Sequence, residues 1–113
     1  MIFVTGPLYS GKKEYIKNKL NLTEEEFEGL AVCDVQELAA GKNEAELEIL
    51  AEKLSNKTVV IATETGGGVV PSDKKERENR EAAGRLSVLL AERADTVIRV
   101  ICGIGKTIKG KEE

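Results

Sequence analysis

The chain has 113 residues, of which 20 are acidic and 17 basic, so its net charge is −3. This length predicts a single domain, residues 1–113, with one hydrophobic core. Because the net charge is negative, the chain has no overall positive electrostatic field, and we therefore expect no nucleic-acid partner. The chain has no histidine, which excludes histidine metal sites, histidine acid–base catalysis and covalent intermediates on histidine.

The apolar runs and the cysteines favour a cytoplasmic protein. No apolar run reaches the roughly 20 residues that a membrane-spanning helix needs, so we expect no membrane partner. Residues 2–8 lack the basic flank of a signal peptide. Cys33 and Cys102 each lie in an apolar run, where buried free thiols of a reducing compartment are favoured over a disulfide.

The chain opens on a short strand that leads into a glycine-containing turn. Residues 2–4 are apolar and β-favouring, and residues 12–20 have the spacing of an amphipathic helix. Between them stands Gly-x-x-x-x-Gly-Lys, from Gly6 to Lys12. In a strand–helix context this spacing predicts a P-loop, whose backbone N–H groups and helix dipole surround a phosphate. The alternative is a strand–helix turn without a ligand.

The P-loop interpretation assigns one set of residues to the nucleotide: Gly6, Pro7, Leu8, Tyr9, Ser10, Gly11, Lys12 and Lys13. Lys12 would reach the β- and γ-phosphates as a compact positive charge. Position 13 usually carries a Ser or Thr hydroxyl that ligates magnesium, and here it is Lys13. Two explanations remain open, a substitute charge on the phosphates or a decayed site.

Two acidic residues follow apolar runs further along the chain. Residues 30–35 are predicted to form the second strand, with Asp34 at its end, where a Walker B carboxylate would hold Mg²⁺. The alternative is that Asp34 caps the next turn, with Glu37 as its partner.

Residues 58–63 are predicted as a strand buried on both faces, which leads into Glu64. We interpret Glu64 as holding the substrate hydroxyl, the nucleophilic water or the metal, against the alternative of a solvated acid. The glycines at 66–68 suggest close backbone approach to a ligand or a partner chain.

Capping boxes at Thr23 and Asn43 predict two further helices, the first a single turn that Gly29 closes. The longest helix begins at Asp73. Residues 96–102 are the last predicted strand, and 103–113 form a Gly/Lys-rich tail.

This alternation predicts an α/β fold, a P-loop NTPase-like three-layer α/β/α arrangement with a mainly parallel sheet of four or five strands. In such a sheet residues 6–13, Asp34 and Glu64 meet at one edge, where ligands bind.

The stretch 63–71, TETGGGVVP, is similar to the N-E-V-G-x-G-I-V-P signature of the adenosylcobinamide kinase / adenosylcobinamide-phosphate guanylyltransferase family. Residues 80–86, REAAGRL, resemble that family's R-D-x-A-G-R-L helix. Residues 4–12 resemble its opening V-T-G-G-x-x-S-G-K, and 100–103 its closing V-x-x-G. The resemblance covers most of the chain.

The resemblance implies a kinase of cobalamin biosynthesis that transfers a phosphoryl group from GTP or ATP, with Mg²⁺, to the amino-propanol hydroxyl of adenosylcobinamide, a corrinoid. Lys12 would hold the triphosphate, Asp34 would bind Mg²⁺, and Glu64 would orient or deprotonate the hydroxyl. Family members assemble through the helix and loop that follow the signature, which implies a homo-oligomer.

The chain departs from the family in two respects. The family's guanylylated histidine lies on a helix between the P-loop and the aspartate strand, a region that is here reduced to about residues 22–29 without a histidine. We therefore expect no histidine-based guanylyltransferase activity. Lys13 also removes a magnesium ligand. The alternative function is a catalytically weak or inactive nucleotide-binding accessory or regulatory homologue.

Overall fold

A computed structural model describes residues 1–65 and 73–110 of the chain. The elements of these ranges are, in chain order, β1 (Ile2–Gly6), α1 (Lys12–Leu20), α2 (Glu24–Leu30), β2 (Ala31–Val32), a 3-10 helix (Val35–Ala39), α3 (Glu44–Leu54), β3 (Val59–Thr63), α4 (Lys74–Arg93), β4 (Thr96–Ile101) and β5 (Ile104–Lys109). Among the helices of these ranges, none is both long and apolar enough to span a membrane.

The five strands form one sheet in the order β2-β3-β1-β4-β5. The strands β1 to β4 run parallel, and β5 pairs antiparallel with β4. Central β1 has β3 on one side and β4 on the other, so Thr5 lies opposite both Ala62 and Arg99. The predicted fold class is confirmed.

Helices cover both faces of this sheet. Phe3 and Ala62 belong to the apolar cluster that α3, α4 and the 3-10 helix cover, whereas Val4 and Ile61 belong to the cluster under α1 and α2. Because successive strand residues point to opposite faces, adjacent residues enter different clusters. The result is the three-layer arrangement that the sequence predicts.

The capping signals in the sequence are confirmed. Thr23 Oγ1 accepts a hydrogen bond from the Glu26 N–H at 3.1 Å, and Asn43 Oδ1 accepts one from the Glu46 N–H at 2.9 Å. The carboxylate of each glutamate in turn accepts a hydrogen bond from the backbone N–H of the capping residue, which completes each capping box. Asp73 caps α4 by accepting from the Lys75 N–H at 2.9 Å.

The second strand is shorter than predicted. It is limited to Ala31–Val32, because α2 continues through Gly29 to Leu30 and Asp34 turns the chain with a φ of 55°. The N–H of Thr63 faces the missing part of this strand and donates instead to Gln36 Oε1 at 2.9 Å. A side chain thus replaces a backbone hydrogen bond between strands. The predicted helix end at Gly29 is also wrong, because α2 ends at Leu30.

The predicted tail is also wrong, because Ile104–Lys109 forms β5. Ile101 pairs with Ile104 across a two-residue turn, in which Cys102 and Gly103 have φ values of 52° and 74°. Such positive φ values match a tight hairpin to the strand twist. Cys33 and Cys102 are both free thiols, as expected, but neither is fully buried, since Cys33 is partly buried and Cys102 is exposed in this turn.

Two glycine substitutions test this packing. A Cβ at Gly6 would lie 2.2 Å from the Val100 carbonyl oxygen, whereas a Cβ at Gly84 meets nothing within 4 Å. We expect Gly6→Ala to lower the free energy of unfolding by at least about 1–3 kcal/mol through overpacking. Gly84→Ala, in exposed helix, should raise it by about 0.5–1 kcal/mol. Urea unfolding measures both, and a Gly6→Ala protein as stable as the unmodified chain would contradict the close approach.

Candidate functional site

The turn between β1 and α1 is held from both sides. The Glu64 N–H donates to the Gly6 carbonyl at 2.8 Å, and the Gly103 N–H donates to the Ser10 carbonyl at 2.7 Å. Gly11 has a φ of 86°, and a Cβ there would lie 3.3 Å from the Gly103 Cα. The turn is therefore braced by the end of β3 on one side and by the β4–β5 turn on the other.

The amino group of Lys12 lies inside this turn. Its Nζ donates to the Pro7 carbonyl at 2.8 Å and lies 3.5 Å from Ser10 Oγ, and the residue is only 8% exposed. Burial lowers the pKa of Lys12, while the carboxylates of Asp34 and Glu64 act to raise it. A buried ammonium that contacts neutral oxygens favours a ligand that brings negative charge.

Lys13 points away from Lys12, toward α2. Its Nζ lies 6.0 Å from the centre of the Phe27 ring, near the outer limit for a cation–π contact. Its charge also acts on Cys33, whose thiol pKa is raised by burial, with Lys13 opposing and Asp34 reinforcing the shift. The side chain at position 13 thus lies beside α2 and the end of β2.

Asp34 lies two residues beyond β2, exposed to solvent. Its carbonyl accepts the Glu37 N–H at 3.1 Å and so begins the 3-10 helix. Its carboxylate makes no capping hydrogen bond to that helix, which counts against the capping alternative. The carboxylate remains close enough to Lys12 to raise that residue's pKa.

Glu64 is bound by a residue that the sequence interpretation missed. Arg99 Nε donates to Glu64 Oε2 at 2.6 Å, and Arg99 Nη2 donates to Glu64 Oε1 at 2.7 Å. This hydrogen bonding is the main cause that lowers the pKa of the Glu64 carboxyl, with the charges of Arg99 and Lys12 adding to it and partial burial opposing it. One signal was available, because Arg99 is the single charged residue in the apolar run 96–101.

A cleft of about 1220 Å³ opens beside this ion pair. It lies between the β1–α1 turn, the 3-10 helix, the end of β3 and the first half of α4. Its lining includes Pro7, Leu8, Gln36, Glu37, Glu64, Glu76, Asn79, Arg80 and Arg99. The cleft is large enough for a drug-sized ligand.

The described residues fit magnesium only in part. Among residues 1–65 and 73–110, no three Cys, Asp or Glu side chains are grouped to hold a metal ion. Mg²⁺ requires less than this, because one or two carboxylates with substrate phosphates and water complete its shell. Asp34 can supply such a carboxylate, whereas Lys13 supplies no ligand at the position of the usual hydroxyl.

A family model described as cobinamide kinase / cobinamide phosphate guanyltransferase matches residues 28–108. The chain belongs to this family. The match includes Asp34, Glu64 and Arg99 and leaves residues 6–13 outside it. The resemblance found in the sequence is confirmed.

Relatives of known description agree. The bifunctional adenosylcobalamin biosynthesis protein CobP of Pseudomonas aeruginosa is 35% identical over 82 residues, which are 73% of this chain and 47% of the relative. The protein CobU of Salmonella typhimurium, described in the same words, is 39% identical over 67 residues, 57% of this chain and 37% of the relative. CobU of Escherichia coli is 42% identical over 53 residues, 47% of this chain and 29% of the relative. The chain spans less than half the length of these relatives.

The structure therefore brings several predicted site residues to one sheet edge. The carboxylates of Asp34 and Glu64 both act to raise the pKa of Lys12, and the Glu64 N–H donates a hydrogen bond to the Gly6 carbonyl. Lys13 lies beside α2 instead. The glycines at 66–68, for which a close backbone approach to a ligand or a partner chain is predicted, lie outside the described residues.

Proposed function

We propose that the chain binds GTP or ATP at residues 6–13 and acts as an adenosylcobinamide kinase-like protein of cobalamin biosynthesis. In this proposal it phosphorylates the amino-propanol hydroxyl of the corrinoid and works in the cytoplasm as a homo-oligomer. The observation that carries the proposal is the buried Lys12 ammonium, held inside a braced glycine turn at the start of a helix. Family membership supplies the acceptor class.

The proposed roles follow from charge and position. Lys12 and the N–H groups that begin α1 bind the β- and γ-phosphates. Asp34 is the residue that would hold Mg²⁺, which supplies neutralisation of phosphate charge when bound. Glu64 accepts a hydrogen bond from the attacking hydroxyl. Positioning and electrostatic stabilisation supply most of the rate in phosphoryl transfer, so no strong base is required.

The second activity in the family's description is not part of the proposal. A nucleotidyl group carried on histidine requires an imidazole nitrogen, and the chain has none. We therefore infer that the kinase half of the description is the one that applies.

One observation favours a second candidate, a catalytically weak or inactive nucleotide-binding accessory protein. Lys13 takes the place of the magnesium-ligating hydroxyl, and its amino group rests over Phe27. Nucleotide binding through Lys12 would then persist without efficient transfer.

Isothermal titration with non-hydrolysable GTP and ATP analogues tests the shared part of both candidates. We expect micromolar binding to the unmodified chain. Lys12→Ala should weaken it about 10–100-fold, because the variant loses a charge-assisted hydrogen bond to phosphate. The matched control is Lys57→Ala, an exposed lysine in the turn before β3, at the opposite end of the strands. Equal binding by the Lys12→Ala and Lys57→Ala proteins would contradict the P-loop assignment.

The substitution Lys13→Ser separates the two candidates. A working kinase phosphorylates adenosylcobinamide without the substitution, as measured by transfer of labelled γ-phosphate. An accessory protein shows no transfer, and restoring the hydroxyl should produce Mg²⁺-dependent transfer or hydrolysis if the site is a decayed one. Transfer by the unmodified chain at a rate that Lys13→Ser does not increase would refute the accessory function. Absence of transfer from the unmodified chain would refute the kinase, whatever the Lys13→Ser protein does.

A further inference from the structure

The ion pair between Arg99 and Glu64 spans the central strand. Arg99 belongs to β4 and Glu64 follows β3, and these strands lie on opposite sides of β1. Thr5 of β1 is the residue opposite Arg99 in the ladder. By strand alternation Arg99, Thr5 and Glu64 share the sheet face that α3 and α4 cover. The guanidinium therefore reaches across a short side chain to meet the carboxylate.

The backbone and the side chain of Glu64 are held by different neighbours. Its backbone is fixed by the hydrogen bond from its N–H to the Gly6 carbonyl at 2.8 Å. Its side chain has several rotatable bonds, and the parallel bonds from Arg99 at 2.6 and 2.7 Å select one orientation. A planar guanidinium imposes this geometry, whereas an ammonium is a point charge that does not.

We propose that Arg99 is a positioning residue, which holds the Glu64 carboxylate at the wall of the cleft as a fixed acceptor for the hydroxyl that is phosphorylated. This inference rests on the proposed function. Both side chains line the cleft and remain partly open to it, with Glu64 32% and Arg99 44% exposed. Each carboxylate oxygen has two lone pairs, so an oxygen bound to Arg99 can still accept the hydroxyl.

The paired carboxylate acts as an acceptor more than as a strong base. The hydroxyl oxygen bonds to the γ-phosphorus while the bond from that phosphorus to the β–γ bridging oxygen breaks, and nucleoside diphosphate leaves. The hydroxyl proton departs along the hydrogen bond to Glu64 and passes to water. It departs once the new bond to phosphorus has made the oxygen acidic, so a weak base suffices.

Other charged groups face Glu64 from the neighbouring elements. Lys12 acts from the start of α1, and Glu37, Glu76 and Arg80 line the same cleft from the 3-10 helix and α4. A test of Arg99 must therefore separate charge from orientation. Arg99→Met removes both, and Arg99→Lys retains the charge but not the planar fork.

The first measurement is a carbon-13 NMR titration of the Glu64 carboxyl, which requires no activity. In the Arg99→Met protein we expect the pKa of Glu64 to rise toward its ordinary value, because the ionised form loses its partner. In the Arg99→Lys protein it should stay below the Arg99→Met value. The matched control is Arg85→Met, which breaks the exposed pair between Arg85 and Glu44 on α4 and α3 and should leave Glu64 unchanged.

The second measurement is steady-state phosphorylation of adenosylcobinamide. We expect kcat to fall about 10–100-fold in Arg99→Met, with KM for the acceptor changed by less than about threefold, since orientation rather than binding is lost. Arg99→Lys should not restore kcat, because it lacks the fork. The Lys variant also keeps the aliphatic stem, so it covers the case in which Arg99→Met does not fold.

The possible outcomes separate the inference from the proposed function. An unshifted Glu64 titration in Arg99→Met, or full rescue of kcat by Arg99→Lys, would overturn the positioning role while leaving the kinase in place. A shifted titration in a chain that transfers no phosphate would refute the kinase and, with it, the catalytic use of Arg99.

Discussion

The close approach of three strands at Gly6 is the constraint on which the site depends. A Cβ at this position would lie 2.2 Å from the Val100 carbonyl oxygen, which is a steric clash. The Gly6 carbonyl also accepts a hydrogen bond from the Glu64 N–H at 2.8 Å. A larger residue would push the end of β1 away from β4 and from the Ser10 hydroxyl. Because the β1–α1 turn begins at this point, the shape of the turn and the position of Glu64 are set by the same packing.

The charged side chains at this edge of the sheet have different kinds of partner. Arg99 binds the Glu64 carboxylate through two hydrogen bonds, while the ammonium of Lys12 is held by the neutral oxygens of its own turn. Asp34 remains exposed at the end of β2. Among the described residues, Lys12 is thus a buried cation that can meet an anionic ligand, and Asp34 is an exposed carboxylate that can meet a cation. That division matches what a nucleoside triphosphate with its metal ion requires.

Local signals in the sequence predicted most of the elements, whereas β5 and the partner of Glu64, which the sequence did not predict, depend on contacts between distant residues. The glycine spacing of 6–12 and the capping boxes at Thr23 and Asn43 depend on residues a few positions apart, and a helix follows each of these signals in the structure. By contrast, β5 depends on a tight turn at 102–103 and on the Tyr15 ring, which lies directly on Gly105. The Arg99 partner of Glu64 comes from another strand 35 residues away. No spacing rule in a single sequence encodes such a pair.

The most direct test of the proposed nucleotide site is to map backbone amide shifts by nitrogen-15 NMR during titration with a non-hydrolysable nucleotide analogue and Mg²⁺. Because the N–H groups of the turn would bind phosphate, we predict the largest shifts at residues 8–13, with a smaller one at Glu64. Lys57 and Asp95, at the opposite end of the strands, should not move. Shifts concentrated at that opposite end, or no shifts at saturating nucleotide, would contradict phosphate binding by the turn.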